Sequence, residues 1–149
     1  MIDYKRRLYY EDMNIGDEWT SPSVTITETH IVNFAGVTLD FSPVHMDREA
    51  ASRGIYKDII AHGLLVVSMS NGLCGDNPRM ASIALLEANC KFLLPARIND
   101  TITVISRLTD KTLTQKGDKG IVTFDRSVMN QRGEKIVSIK IVAMVERRI

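Results

Sequence analysis

Two side chains able to exchange protons with water lie in one short stretch, Asp40-Phe41-Ser42-Pro43-Val44-His45. Asp40 supplies a carboxylate with an ordinary pKa of about 4, and His45 supplies an imidazole with an ordinary pKa of about 6.5. At neutral pH one is ionised while the other can carry or accept a proton, which is what general acid–base chemistry requires. Pro43 favours an extended conformation at Ser42, so the two side chains cannot be neighbours on one helical face. The spacing predicts an irregular segment that a rigid scaffold must hold in place.

A second stretch, Ala61-His62-Gly63, stands at the start of an apolar segment that runs to about Asp76. A glycine in the first turn of a helix allows a carbonyl oxygen to approach the unpaired backbone amides, which carry the positive end of the helix dipole. Amides of this kind stabilise negative charge that develops on an oxygen atom during a reaction. Gly63 is therefore the candidate for polarising a carbonyl group.

The composition predicts a single domain over residues 1–149. The chain has nineteen basic and eighteen acidic residues, a formal net charge of +1 and no long run of like charges, which argues against nucleic acid or a membrane surface as a partner. Its apolar runs are shorter than a membrane span, and no apolar segment follows the basic residues near the start, as a secretory signal would require. We therefore expect a cytoplasmic location. Cys74 and Cys90 lack metal or redox spacing and are expected to be reduced core residues.

The elements that must position the site begin with a strand over Trp19–Ile26, where β-type residues alternate. Thr27 has the side chain of a helix N-cap, and apolar residues at helical spacing follow it until just before Asp40. Asp47 likewise predicts the start of a second, short helix, which Gly54 ends.

The third helix differs because its apolar side chains are distributed nearly all around it. Such a helix belongs in the interior of a protein. We expect it to end at Gly72 and Gly75, close to Asp76-Asn77-Pro78. Four β-type runs separated by turn residues follow, over Ser82–Leu94, Asp100–Asp110, Gly120–Asn130 and Glu134–Arg147. A strand, then helices, then a meander of long antiparallel strands around a buried helix is an α+β order.

Both chemical stretches resemble a known family. Residues 29–47 and the stretch Ile60-Ala61-His62-Gly63-Leu64 are similar to the MaoC-like dehydratases, which include the (R)-specific enoyl-CoA hydratases. The hallmark of that family is Asp-x-Asn-Pro-x-His, followed by Ala/Val-His-Gly at the start of a central helix. This sequence departs from the pattern at Ser42, where the family usually has Asn, and at Leu39, where many members have Gly. The similarity extends over nearly the whole chain.

The resemblance implies a hotdog fold, in which a long antiparallel sheet wraps around a central buried helix, and a homodimer or larger oligomer whose sheets continue into one another. It also implies a hydro-lyase that acts on an acyl-CoA thioester, with no separate cofactor and no metal. Asp40 and His45 would hold one water and form the acid–base pair of a syn addition, while Gly63 would polarise the thioester oxygen. Because the pair is coupled, either residue could take the first proton. The residues that would contact the substrate are Ser42, Pro43, His62, Leu64, Ser68 and Asn71.

Two other functions stay open at this level. Hotdog proteins also hydrolyse acyl-CoA thioesters, but their usual catalytic carboxylate lies on the central helix, and residues 63–75 contain no Asp or Glu. The other alternative is a subunit that binds acyl-CoA or acyl carrier protein without turnover, which the complete pair of Asp40 and His45 disfavours. The acyl length and the carrier are not fixed by this pattern.

Structural roles compete with functional ones for several polar residues. Ser68, Ser70 and Asn71 either orient Asp40 or the reacting water, or bond their own helix backbone. His62 precedes the helix and is expected to form a hydrogen bond across the loop. His30 is expected to be solvated, without a partner. The spacing of the histidines shows no metal-ligand pattern.

Overall fold

The computed structural model describes residues 7–75 and 79–148. Within these ranges, six antiparallel strands form one sheet, and four α-helices lie between the second strand and the third. The strands are β1 (Glu18–Thr20), β2 (Val24–Thr25), β3 (Ser82–Phe92), β4 (Thr101–Leu113), β5 (Lys119–Met129) and β6 (Lys135–Glu146). The helices are α1 (Glu28–Thr38), α2 (Pro43–Met46), α3 (Arg48–Arg53) and α4 (Gly63–Cys74). The predicted α+β hotdog architecture is confirmed.

The order of strands across the sheet is β1, β4, β5, β6, β3, and β2 also pairs with β4. β4, β5 and β6 form the expected meander. β3 does not pair with β4, the next strand in the chain, but forms the edge of the sheet beyond β6 and pairs with β6, so the predicted meander is wrong at its first strand. Alternation of side chains defines a strand and its buried face, whereas the neighbours of a strand depend on the path of the connection, here residues 93–100.

The buried face of the sheet follows the alternation in the sequence. In β6 the buried members of the alternating set are Val137, Ile139, Ile141, Ala143 and Val145. β4 and β5 bury every second residue over most of their length, as expected for strands with one face on the core. Helix α4 packs on this face and contacts β4 and β6.

Helix α4 is buried on one side only. It buries Leu65 and Val66, but Leu64 is 62% exposed. The prediction that this helix is buried on every side is therefore wrong for the single chain. The helix ends at Cys74 and is capped by Gly75, so the predicted end at Gly75 is confirmed. Gly72 does not end the helix, since one glycine is tolerated inside a helix. The neighbouring Asp76-Asn77-Pro78 lie outside the described ranges. No helix in the described part of the chain is long and apolar enough to cross a membrane.

The first predicted strand, Trp19–Ile26, is divided into β1 and β2, which both pair with β4. Ser21 interrupts it, because its hydroxyl accepts the Val104 amide at 2.9 Å while its own amide donates to the Val104 oxygen at 2.8 Å. Pro22 follows and has no amide hydrogen to offer a neighbouring strand.

Both predicted helix N-caps are present. Thr27 Oγ1 accepts the His30 amide at 3.4 Å, and Asp47 Oδ1 accepts the Ala50 amide at 3.0 Å. The prediction that His30 has no partner is wrong. Its Nδ1 accepts the Thr27 amide at 3.0 Å, which completes a reciprocal capping box. The short helix α3 ends at Gly54, as predicted.

Helix α1 ends at a residue with left-handed backbone geometry. Leu39 has φ 64° and ψ 17°, and its amide donates to the Ala35 oxygen. Glycine usually fills this position because a Cβ clashes there, at about 1–2 kcal/mol. The Leu39 side chain is 75% exposed, so little packing offsets the clash. The turn sets the direction in which the chain continues to Asp40.

Replacing Leu39 with glycine is therefore expected to raise the free energy of unfolding by about 1 kcal/mol, because glycine adopts this conformation without a clash. Urea unfolding followed by circular dichroism measures the change. The matched control is Val37→Gly, an exposed position inside the same helix, where glycine should lower stability by a few tenths of a kcal/mol. A loss of stability in Leu39→Gly would contradict the assignment of strain to this turn.

Candidate active site

The loop after α1 folds the Asp40 carboxylate back onto Ser42. Asp40 Oδ1 accepts the Ser42 amide at 3.2 Å and the Ser42 hydroxyl at 2.5 Å. Ser42 has φ −54° and ψ 136°, the extended conformation that a residue before proline favours. Pro43 is the first residue of α2, a position that needs no amide hydrogen. The prediction of an irregular segment therefore holds only for its first half. The second half is a helical turn that carries His45.

The contacts with Ser42 set the charge of Asp40. The Ser42 hydroxyl hydrogen bond, followed by that of its amide, lowers the pKa of the Asp40 carboxyl, and the nearby rings of His45 and His62 act in the same direction. Asp40 therefore stays ionised to a lower pH than a free aspartate. The serine hydroxyl thus donates directly to the carboxylate at the position where the similar family usually has asparagine.

The ring of His45 is oriented by a backbone carbonyl. His45 is half-buried, and its Nδ1 lies 2.7 Å from the Ile60 oxygen. A carbonyl oxygen only accepts hydrogen bonds, so Nδ1 carries the hydrogen. In the neutral ring, Nε2 is then left with its lone pair available to accept a proton.

His62 joins the loop to the start of α4. It is 3% exposed, and its Nε2 donates to the backbone oxygen of Asp40 at 2.9 Å, which confirms the predicted hydrogen bond across the loop. Its ring stacks on that of His45, with centroids 3.9 Å apart and planes at 28°, and it contacts the Phe34 ring at 5.1 Å. Its Nδ1 is buried and has no hydrogen-bond partner among the described residues.

Asp40, His45 and His62 therefore form one cluster. Each offers one ligand atom, and these atoms all lie within 4.8 Å of one another. That spacing suits a small cation or a water molecule held between a carboxylate oxygen and a ring nitrogen. The sequence spacing had not indicated this group, because residues 45 and 62 are brought together only by the fold.

The first turn of α4 offers unpaired amides beside this cluster. No side chain caps the helix at His62, so the amides at its start keep their partial positive charge. Gly63 is closely covered, since a Cβ there would lie 2.7 Å from Cε1 of Phe92. Glycine is thus required for the close approach of the Phe92 ring to this end of the helix.

A cavity of about 450 Å³ lies at this point, between the start of α4 and the chain that follows β3. Among the predicted site residues, its lining includes His45, Gly63 and Leu64. Phe92 closes it on the side of the sheet. The other predicted site residues do not line this cavity: Asp40, Ser42, Pro43, His62, Ser68 and Asn71. Asp40 is exposed, and Ser42 and His62 donate hydrogen bonds to it.

The polar residues farther along α4 do not reach Asp40. Ser68 Oγ donates to the Leu64 oxygen and Ser70 Oγ to the Val67 oxygen, so both hydroxyls bond their own helix. Asn71 instead accepts a hydrogen bond from Arg126 of β5. Sequence reasoning had not singled out Arg126. The signal that could have found it is a charged residue at a position where the alternation of the strand predicts a buried side chain.

The long sheet around α4, with the cluster at the start of the helix, defines a hotdog protein. The chain belongs to the MaoC-like domain family, whose profile matches residues 13–129. This match includes every predicted site residue and the strand β5.

Relatives and solved structures agree with this family. An (R)-specific enoyl-CoA hydratase of Rhodospirillum rubrum is 30% identical over 143 residues, 94% of this chain and 93% of that protein. Protein MaoC of Klebsiella aerogenes is 37% identical over 113 residues, 74% of this chain but 32% of that longer protein. The structure of a monoamine oxidase regulatory protein from Archaeoglobus fulgidus has a TM-score of 0.89 and 32% identity, covering 96% of this chain and 97% of that one.

Removing the hydroxyl in Ser42→Ala is expected to raise the pKa of Asp40 toward its ordinary value, because the largest stabilisation of the carboxylate is lost. As the pH falls, the variant should lose the Asp40 charge earlier than the wild type. Carboxyl carbon NMR titration measures this pKa directly. Ser23→Ala, which removes a hydroxyl bonded to Thr103 instead, is the control and should leave Asp40 unchanged. An unaltered Asp40 pKa in Ser42→Ala would contradict the role of the hydroxyl.

Proposed function

We propose that this protein is an (R)-specific enoyl-CoA hydratase, or the same lyase acting as a 3-hydroxyacyl-CoA dehydratase. The observation that supports this most is the cluster in which the Asp40 carboxylate lies close to His45 and to His62, the N-cap residue of α4. His45 lines the same cavity as Gly63, in the first turn of this helix. The hydratase of Rhodospirillum rubrum, similar over nearly the full length of both chains, supports the same reaction and stereochemistry.

The proposed reaction uses one water on one face of the double bond. His45 Nε2 takes a proton from the water as the water oxygen bonds to C3, and the imidazolium then returns a proton to C2. Asp40 orients the water and stabilises the imidazolium, since its lowered pKa makes it the weaker base. Because one group accepts and returns the proton from the same side, hydrogen and hydroxyl add syn.

The thioester oxygen gains negative charge when water adds to C3. In our proposal this oxygen lies against the first amides of α4, at Gly63, which lines the cavity. In other enzymes, each donor of this type lowers the activation barrier by about 3 kcal/mol. Their orientation is fixed by the helix, so no reorganisation is needed during the reaction.

Thioester hydrolysis is the less suitable reaction for this site. Helix α4 contains no Asp or Glu, so the carboxylate expected of a hotdog thioesterase is missing from it. Release of free CoA from a saturated acyl-CoA, without hydration of crotonyl-CoA, would contradict the hydratase proposal.

Asp40→Asn and His45→Gln are each expected to lower kcat for crotonyl-CoA hydration by about 10²- to 10⁴-fold. His45→Gln removes the group that transfers the proton, and Asp40→Asn removes the charge that orients the water and stabilises the imidazolium. The loss of absorbance of the enoyl thioester measures turnover, and chiral chromatography of the product tests for the (R) alcohol. Asp47→Asn is the matched control, since asparagine also caps a helix and Asp47 caps α3. Turnover within tenfold of the wild type in either site variant would refute the roles assigned here.

We also propose that the protein is a homodimer joined along β3. β3 is the last strand on the sheet path, and its side chains Ile83, Leu85 and Leu86 are exposed in the single chain. An apolar edge strand of this length is a site for pairing with another chain. A second copy would continue the sheet, as the resemblance to hotdog dimers implies.

A charge on this edge should separate the proposed dimer, because it would be buried without a partner in the paired sheet. Leu86→Lys is expected to convert the dimer to a monomer in size-exclusion chromatography with light scattering. Leu113→Lys places the same charge on an exposed leucine of β4 and should leave the mass unchanged. A wild-type monomer at micromolar concentration, or a dimeric Leu86→Lys, would argue against β3 as the interface.

A further inference from the structure

One core position of β5 is occupied by a charged residue. Arg126 is 5% exposed and lies in the buried phase of the strand, between the fully buried Phe124 and Val128. Its Nη1 donates to Asn71 Oδ1 at 3.0 Å, and its Nε donates to Ser106 Oγ at 3.4 Å. The side chain therefore reaches from the sheet to helix α4.

No carboxylate accompanies this guanidinium within residues 7–75 and 79–148. The ion pairs of these residues do not include Arg126. Cys74 lies nearby, but burial raises the pKa of its thiol, so it is neutral near pH 7. A buried charge without a counter-charge is unfavourable by several kcal/mol or more. The site therefore favours a ligand that supplies a negative charge.

Two cavities open beside the guanidinium, between α4 and the strands β3 and β6. Their volumes are about 240 Å³ and about 330 Å³, and Arg126 and Asn71 line both. Along α4, the cavity at the proposed active site is lined as far as Val66 and the smaller of these two from Val67 onward, and these two cavities have no lining residue in common. The three cavities thus follow successive turns of α4 from its start to its end, along the same two strands.

We propose that Arg126 binds an anionic group at the far end of the acyl chain, so that the preferred substrate is a 2-enoyl thioester with a distal carboxylate. This rests on the proposed function. Asn71 lies eight positions after Gly63 in α4, about 12 Å along the helix at 1.5 Å per residue, which is the span of a medium-length acyl chain.

The chemistry of the site matches a carboxylate. A guanidinium holds a carboxylate through charge-assisted, often bidentate hydrogen bonds, and the Asn71 amide has NH2 donors beside it. The phosphates of CoA are the other anions of the substrate. They are bulky and need an open surface, whereas a side chain that is 5% exposed is accessible to the narrow end of an acyl chain.

The test compares trans-2-octenoyl-CoA with its analogue in which the terminal methyl group is a carboxylate. For the wild type, kcat/KM should be about 10- to 100-fold higher with the carboxylated substrate, the range of a charge-assisted hydrogen bond. Arg126→Met keeps much of the apolar stem and removes the charge. It should abolish this preference and leave the methyl-terminated substrate as the better one.

A second variant tests the same point without removing the arginine. Asn71→Asp places a carboxylate where Nη1 of Arg126 now bonds the amide oxygen, so the guanidinium is neutralised within the protein and the fold gains a counter-charge. The ratio of the two kcat/KM values should fall about as far as in Arg126→Met. The matched control, Asn71→Gln, stays neutral and should keep the preference within a few fold.

Failure of this inference and failure of the proposed function give different results. Equal efficiency of both substrates in the wild type, with normal hydration of crotonyl-CoA, overturns the distal-carboxylate site alone. Equal losses on both substrates in Arg126→Met and Asn71→Asp would assign Arg126 to structure or to the CoA phosphates, and also overturn it. If no enoyl-CoA is hydrated, the proposed function fails. Calorimetric binding of the saturated carboxylated and methyl-terminated acyl-CoAs then decides the site separately, with equal affinities overturning it.

Discussion

The hydrogen bond from His62 Nε2 to the backbone oxygen of Asp40 is the contact on which the site depends. It ties the loop after α1 to the first turn of α4, and the buried His62 ring is also the surface on which His45 stacks. One ring therefore positions the carboxylate, the imidazole and the uncapped helix amides relative to one another. Because the ring lies in the interior, solvent does not compete for this hydrogen bond.

The two positions at which this chain departs from its family carry local consequences rather than a loss of the site. Leu39 adopts the left-handed geometry that glycine would adopt more easily, so the turn is kept at the expense of some strain. Ser42 holds the Asp40 carboxylate by two hydrogen bonds from one residue. The geometry of the loop thus depends on the backbone path and on donors to the carboxylate, and more than one residue type satisfies both.

Two positively charged sites lie along helix α4, one at each end of the row of cavities. At its start, the amides around Gly63 present partial positive charge next to the acid–base cluster, and two turns later the guanidinium of Arg126 lies beside Asn71. Between these points the surface of the smaller cavity is largely apolar. In our proposals this places an electrophilic site for the thioester at one end and a cation for a distal anion at the other, with an apolar path between them.

The sequence alone determined the elements and the chemical residues, because N-caps such as Thr27, the alternation of β6 and the neighbourhood of Asp40 depend on residues only a few positions apart. Tertiary structure decided which residues far apart in the sequence contact one another. The pairing of β3 with β6, the stacking of His45 on His62 and the approach of Arg126 to Asn71 depend on the path of the connections and on packing. Local periodicity contains no information on that path, and so the buried cation beside α4 became visible only in the folded chain.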